Sequence, residues 1–291
     1  MKPALVFAVA GMVLVSAPAT TASAASKPNR VSINYVLPKN PAHQRIYERL
    51  KQRRALEKLR EILSPFRLPS VVKISLAGCN GEADAFYGDG AITICYEYID
   101  ELWKNMPAET TAAGIAPIDT IVGPFFDTSL HEFGHALFDM LKLPVFGREE
   151  DAADQVAAYI ELQFGRAEAR RLIMGTLYAY VTEAKKHGAS PPAPEAFADE
   201  HGTPLQRAYN LGCIAYGADR KLFSDFAGYL PKKRAEVCEE EYVQVERAFE
   251  DLIDPHIDGA LAEKILDKSW LPHRTARPPI RHDPLQPVQA H

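Results

Sequence analysis

Apolar positions along this chain follow three rhythms. A continuous apolar run, 4–15, follows the basic Lys2 and leads through small residues to Ala22-Ser23-Ala24. Such a run is too short to span a bilayer as a folded helix, and its flanks are those of a cleavable export signal, so residues 1–24 are expected to be removed. An uncleaved membrane anchor is the alternative. Residues 25–40 read as a loose leader. Over 41–63, Ile46, Leu50, Leu56, Leu59, Ile62 and Leu63 approximate one apolar face with Lys and Arg opposite, which predicts one amphipathic helix ended by Ser64-Pro65. The rhythm then changes to alternation. Val72, Ile74 and Leu76 predict one strand and Ile92, Ile94 and Tyr96 a second, with a turn-rich connection from Gly78 to Gly90.

Helical spacing dominates after residue 98. It predicts helices over 125–141 (starting earlier if Gly123-Pro124 is a kink), 148–164, 166–186, 204–216, about 221–226 and 231–252. Thr203-Pro204 fits an N-cap followed by proline at the first helical position. Residues 190–194 read as a loop, and the proline-containing segment 268–291 as a disordered tail. The fold class expected is α+β, helix-rich with a small N-terminal β-sheet, in one domain over 30–262.

Charge narrows the function. The formal net charge is −5 and is spread along the chain, so no basic footprint for nucleic acid is present. No segment after the leader is apolar for long enough to predict a membrane helix, so no stable membrane association is expected once the leader is cleaved. The chain has four cysteines, Cys79, Cys95, Cys213 and Cys238, with no Cys-x-x-Cys pair. In an exported protein an even number suggests disulfides. Three pairings are possible; sequence neighbours, Cys79 with Cys95 and Cys213 with Cys238, are favoured, and buried free thiols are the alternative.

The chemistry concentrates in His131-Glu132-Phe133-Gly134-His135. Positions i and i+4 of a helix lie one turn apart on one face, so both imidazoles can reach one zinc ion at about 2.0–2.1 Å. Glu132, beside the first, can activate a water molecule. A solvent-facing His-Glu helix surface is the bland alternative. A catalytic zinc also needs a third protein donor and an open position. Glu150 starts the next predicted helix, and a short turn over 143–147 would bring it back to the first. Asp154, one turn on, can accept the free ring N–H of a ligand histidine. Carboxylates are also favoured at a helix N-terminus by the dipole alone, and Glu149, Asp151 and Asp154 compete with Glu150 as third donor.

His131-Glu132-x-x-His135 followed by Glu150-x-x-Ala153-Asp154 resembles the ligand pattern of gluzincin-type metallopeptidases. More closely, the chain resembles a bacterial family of domains of unknown function described as putative metallopeptidases. The resemblance rests on 85–87, 92–97, 131–135, 147–154, 199–201, 206–211 and 238–242, and covers residues 31 to 256. It implies a zincin-like core in which an edge strand borders the cleft; the 92–96 strand is the candidate, though it could equally be interior. It also implies a donor to the oxyanion from a later segment, for which His201 is the candidate, with Tyr209 and Tyr159 behind it.

Together these readings predict an exported, periplasmic or extracellular zinc peptidase acting on a peptide or protein. His131, His135 and Glu150 would bind the metal, Glu132 would be the base, and Asp154 would orient a histidine. Two alternatives stand beside it: an exported zinc-binding protein without peptidase activity, and a cell-surface binding module.

Overall fold

The computed structural model describes residues 30–186 and 193–271; the expected export signal and most of the 190–194 loop lie outside them. Four strands form one sheet: β1 (Val31–Tyr35), β2 (Val72–Ala77), β3 (Ala85–Gly88) and β4 (Ala91–Cys95). Their order is β1-β2-β4-β3, with β1 and β4 parallel to β2, and β3 antiparallel to β4. The architecture is α+β and helix-rich, as expected.

Two strands lie where the sequence reading placed none. β1 falls in the supposed leader, and β3 in the supposed turn-rich connection. The 92–96 strand is interior, and the edge beside the cleft is β3. Tyr96 begins α3 (Tyr96–Lys104) instead of ending the strand. β1 is held by its neighbours: the Tyr35 hydroxyl accepts from Leu56 N at 2.9 Å and donates to Glu57 at 2.8 Å.

The single helix expected over 41–63 is two, α1 (Gln44–Gln52) and α2 (Ala55–Ile62). Arg54 between them takes φ 55°, the left-handed region, which breaks the ladder. The break lets Ile46 and Tyr47 in α1, and Leu56, Leu59 and Ile62 in α2, all be buried. The pair forms the crossover between parallel β1 and β2, a connection that needs a dozen or more residues.

The remaining helices are α4 (Asp119–Leu141), α5 (Glu149–Gln163), α6 (Arg166–Lys186), α7 (Pro204–Ala218), α8 (Lys232–Leu252) and α9 (Gly259–Leu266). α4 runs through Pro124 from an earlier start than residue 125. The short helix near 221–226 is a 3₁₀ turn at Ser224–Gly228, and α9 was not anticipated. A capping box between Thr203 and Gln206 starts α7. α4 and α6 cross at two glycines: a Cβ on Gly175 would lie 2.0 Å from Asp119 O, and one on Gly123 2.5 Å from Leu172 O. At the same end, Arg171 grips buried Asp119 through two hydrogen bonds of 2.9 and 2.7 Å.

Both favoured disulfides form, Cys79–Cys95 and Cys213–Cys238, with Cα separations of 5.5 and 4.9 Å. The first ties the chain just past β2 to the end of β4, and the second ties α7 to α8. The expected tail starts too early at 268. Trp270 and Leu271 are buried, Trp270 Nε1 donates to Ile265 O at 2.9 Å, and Glu168 accepts the Trp270 and Leu271 amides. Residues from 272 on lie outside the description. No described helix is long and apolar enough to cross a membrane.

Candidate metal centre

α4 and α5 form an antiparallel hairpin, and their close approach builds the site. Lys142 caps α4 in the left-handed region at φ 54°, and Gly147 turns the chain at φ 99° before α5 begins. Gly134, inside His131-Glu132-Phe133-Gly134-His135, faces Ala153 so closely that a Cβ would lie 3.2 Å from Ala153 Cα. The absence of a side chain there lets the two helices approach until the side chains three residues before and one after each of these positions can meet.

They do meet. His131 Nε2 and His135 Nε2 lie 3.1 Å apart, and Glu150 Oε2 lies 3.0 Å from the first and 3.3 Å from the second. These three residues place one donor atom each within 4.8 Å of one another. Nitrogens and oxygen converging at such distances could hold a metal ion once the ring nitrogens facing Glu150 give up their protons.

Each imidazole is backed at its other nitrogen. His131 Nδ1 lies 2.8 Å from Asp154 Oδ1, as the i+4 spacing from Glu150 suggested. His135 Nδ1 lies 2.8 Å from Glu149 Oε1, so Glu149, a rival for the third donor, instead backs the second histidine. Asp151 stands outside the donor set.

Burial would lower the pKa of His131, but its hydrogen bonds to Asp154 and Glu150 prevail and lift it to about 9. The hydrogen bonds from His131, His135 and His201 hold Glu150 far below the usual carboxylate range. Asp154 is partly buried, which would raise it, yet the neighbouring Arg207 charge and the His131 bond bring it to about 2. Burial raises Glu132, which is only 6% exposed and lines the cleft.

His201 reaches the same centre from the loop before α7. Its Nε2 lies 2.7 Å from Glu150 Oε2, and its ring stacks on His131 with centroids 5.7 Å apart. Asp199 accepts from the His201 amide at 2.9 Å, and the Asp199 carbonyl accepts from Arg148 at the start of α5. The two alternative donors are elsewhere. Tyr159 packs on Tyr242 and Phe249, and Tyr209 packs by the Cys213–Cys238 bridge.

Three residues of the site escaped the sequence reading. Arg207 of α7 grips Asp154 with two hydrogen bonds, Nε at 2.9 Å and Nη2 at 2.6 Å, and its guanidinium lies 4.6 Å over the Tyr180 ring. Tyr180 of α6 donates to Asp127 at 3.0 Å. Asp127 is one turn before His131 on α4, and burial lifts it to about 6. Two signals existed: Asp127 stands at i−4 from His131, and Arg207 falls within 206–211. Below them Glu161 of α5 is wholly buried with neither carboxylate oxygen hydrogen-bonded, and burial pushes its pKa well up.

The cleft in front of this centre has a volume of about 870 Å³ and runs between β3, α3, α4, α6 and the His201 loop.

Residues 35–253 match the model of a protein family described as "Putative metallopeptidase". No curated protein and no solved structure matches the chain.

Proposed function

The chain belongs to that "Putative metallopeptidase" family, and on this premise we propose that it hydrolyses peptide bonds with zinc held by His131, His135 and Glu150. The observation that carries the reading is the convergence of those three donor atoms within 4.8 Å beside Glu132, which lines the cleft. The donor set fits the metal: two imidazoles and one carboxylate, with a carboxylate behind each ring, are what a three-donor catalytic zinc site requires.

Zinc bound there would polarise the scissile carbonyl and make a water molecule acidic. Glu132 takes the proton of the attacking water and delivers it to the leaving amine. Its burial raises its basicity, which suits a group that must accept and then release a proton. Asp154 and Glu149 accept the Nδ1–H of His131 and His135, which leaves both Nε2 lone pairs free for the metal position shared with Glu150. His201 stands within reach of the same point to donate a hydrogen bond to the oxyanion as it forms.

Glu132→Gln should retain one equivalent of zinc by metal analysis and lose at least about 100-fold in turnover of a peptide library. Full activity of that variant overturns the assignment of the base, and absence of zinc from the purified protein overturns the centre.

One observation favours a second reading, a zinc-binding protein without peptidase activity. His201 Nε2 is 2.7 Å from Glu150 Oε2, outside the three-donor set but close enough that a shift of its loop would make it a fourth donor and close the site. His201→Ala separates the two: as oxyanion donor it loses turnover and keeps zinc, whereas as fourth donor it loses zinc affinity. Two disulfides, together with the leader-like residues 1–24, support export to an oxidising compartment. The partner on this reading is a peptide or protein substrate.

A further inference from the structure

The cleft is charged on one side of the ledger. Six carboxylate side chains line it among the described residues: Asp84, Glu101, Asp127, Glu132, Glu183 and Asp199. Arg207 is the one Arg or Lys among its described lining residues, and both arms of its hydrogen-bonding face are taken by Asp154. Some of the acids are already engaged. Glu101 and Glu183 both hold the Lys186 ammonium at the outer end, and Asp199 accepts from the His201 amide. Glu132 is assigned above to proton transfer.

Asp127 and Asp84 remain. Asp127 is only 3% exposed and lines the cavity. Its Oδ2 accepts from Tyr180, and its Oδ1 takes no hydrogen bond from any described residue. That oxygen opens on the cavity with no donor from the described chain, so it is free to accept a hydrogen bond from a bound group. Asp84 stands exposed at the rim, at the entry to β3; its Oδ1 accepts from the Ala85 amide at 2.8 Å, and its Oδ2 is free of described partners. Asp127 is one helical turn before His131, a rise of about 6 Å. The group it holds would therefore lie next to the bond being cut.

Resting on the peptidase reading, we infer that the cavity beside Glu132 takes a cationic group of the substrate, an ammonium or guanidinium, with Asp127 at its floor and Asp84 at its rim. A Lys or Arg side chain flanking the scissile bond and a free peptide N-terminus share this chemistry. Both would be drawn in by the same field and excluded from a neutral cleft.

The test uses the full-length protein loaded with zinc. Peptides of one sequence frame carry Lys, Arg, norleucine or Glu at each position, in N-acetylated and free-amine forms. Cleavage is read as kcat/KM on the native enzyme, and binding by fluorescence anisotropy on Glu132→Gln. At least about tenfold preference for Lys or Arg in acetylated peptides assigns a side-chain pocket. The same preference for free-amine over acetylated peptides assigns an N-terminus pocket. Asp127→Asn and Asp84→Asn should each reduce the ratio of cationic to norleucine peptides at least about fivefold, and Asp84→Lys should favour Glu peptides. The exposed Asp84 variants keep the test alive if Asp127→Asn fails to fold.

Cleavage without cationic preference overturns this inference and leaves the peptidase reading standing. Cation-selective binding without any cleavage overturns the peptidase reading and leaves the pocket. Neither binding nor cleavage overturns both.

Discussion

His131 and His135 are the same residue type, one turn apart on one helix, each with a carboxylate at its Nδ1, and yet their surroundings differ. His131 is 3% exposed, and the acid behind it, Asp154, is 21% exposed and gripped by Arg207, which in turn stacks on Tyr180. His135 is 13% exposed, and Glu149 behind it is 55% exposed with no second partner among the described contacts. The inner half is a chain of interactions reaching from α4 through α5 to α7 and α6. The outer half is a single pair at the surface. A hydrogen bond in a buried network is held by its neighbours and strengthened by the low dielectric, whereas an exposed pair competes with water. The inner half should therefore determine both the stability of this region and the affinity for metal.

The sharpest way to break that contrast is Arg207→Met. It removes the guanidinium beside Asp154 and Asp127 and leaves His131 as the remaining partner of Asp154; removing one partner of a fully buried pair costs about 3–5 kcal/mol, so for this partly exposed pair a loss of about 2 kcal/mol is expected. Chemical denaturation should show the loss, and an effect below about 1 kcal/mol would mean that the inner network is not cohesive. Next comes Asp154→Asn, which should weaken zinc binding about 10–100-fold in competition with a chelator.

The third prediction concerns pH. Glu161 has its folded-state pKa raised well above 4.5, and Asp127 is raised to about 6, both chiefly by burial. A carboxyl group with a raised pKa in the native state binds more protons folded than unfolded, so stability falls as pH rises through and above 4.5. Glu161→Gln removes one such contribution. Thermal melts should show a flatter decline above pH 5 and a gain of roughly 1–2 kcal/mol at pH 8, since an unpartnered carboxylate is costly when charged. A decline as steep as that of the native chain contradicts the assignment. Smallest of all is Glu149→Gln: an exposed pair contributes about 0–1 kcal/mol, so zinc affinity should change less than about fivefold. If it matches Asp154→Asn, the inner and outer halves are equivalent after all.

The same divide separates what could be read in the sequence from what could not. The outer half and the donors themselves lie on one hairpin, within 24 residues from His131 to Asp154; helical periodicity pairs His131 with His135 and Glu150 with Asp154, and the resemblance favours Glu150 among the rival acids. The close approach of the two helices at Gly134 and Ala153 is a tertiary fact. So is the role of Glu149, because whether an acid one position away turns inward or outward depends on the rotation of α5 against α4. Arg207 and Tyr180 lie 53 and 26 residues beyond Asp154, on other helices, and nothing periodic links them to it.

The sheet shows the same limit. β2 and β4 alternate cleanly and were read. β1 has Val31, Ile33 and Tyr35 in alternation too, but a five-residue strand beside a leader segment is convincing only once β2 stands next to it. β3 is four residues long and is a strand because β4 offers it a ladder.

By itself, then, the amino-acid order indicated the long helices α4 to α8, the two central strands, the favoured disulfide pairs and the two histidines of the α4–α5 hairpin with its acidic run, since each depends on spacing within a short stretch of chain. Tertiary structure alone decided the break at Arg54, the edge position of β3, the partner of Glu149 and the burial of Asp127 and Glu161. Those depend on which distant surfaces are pressed together, and local periodicity carries no record of a contact between segments far apart in the chain.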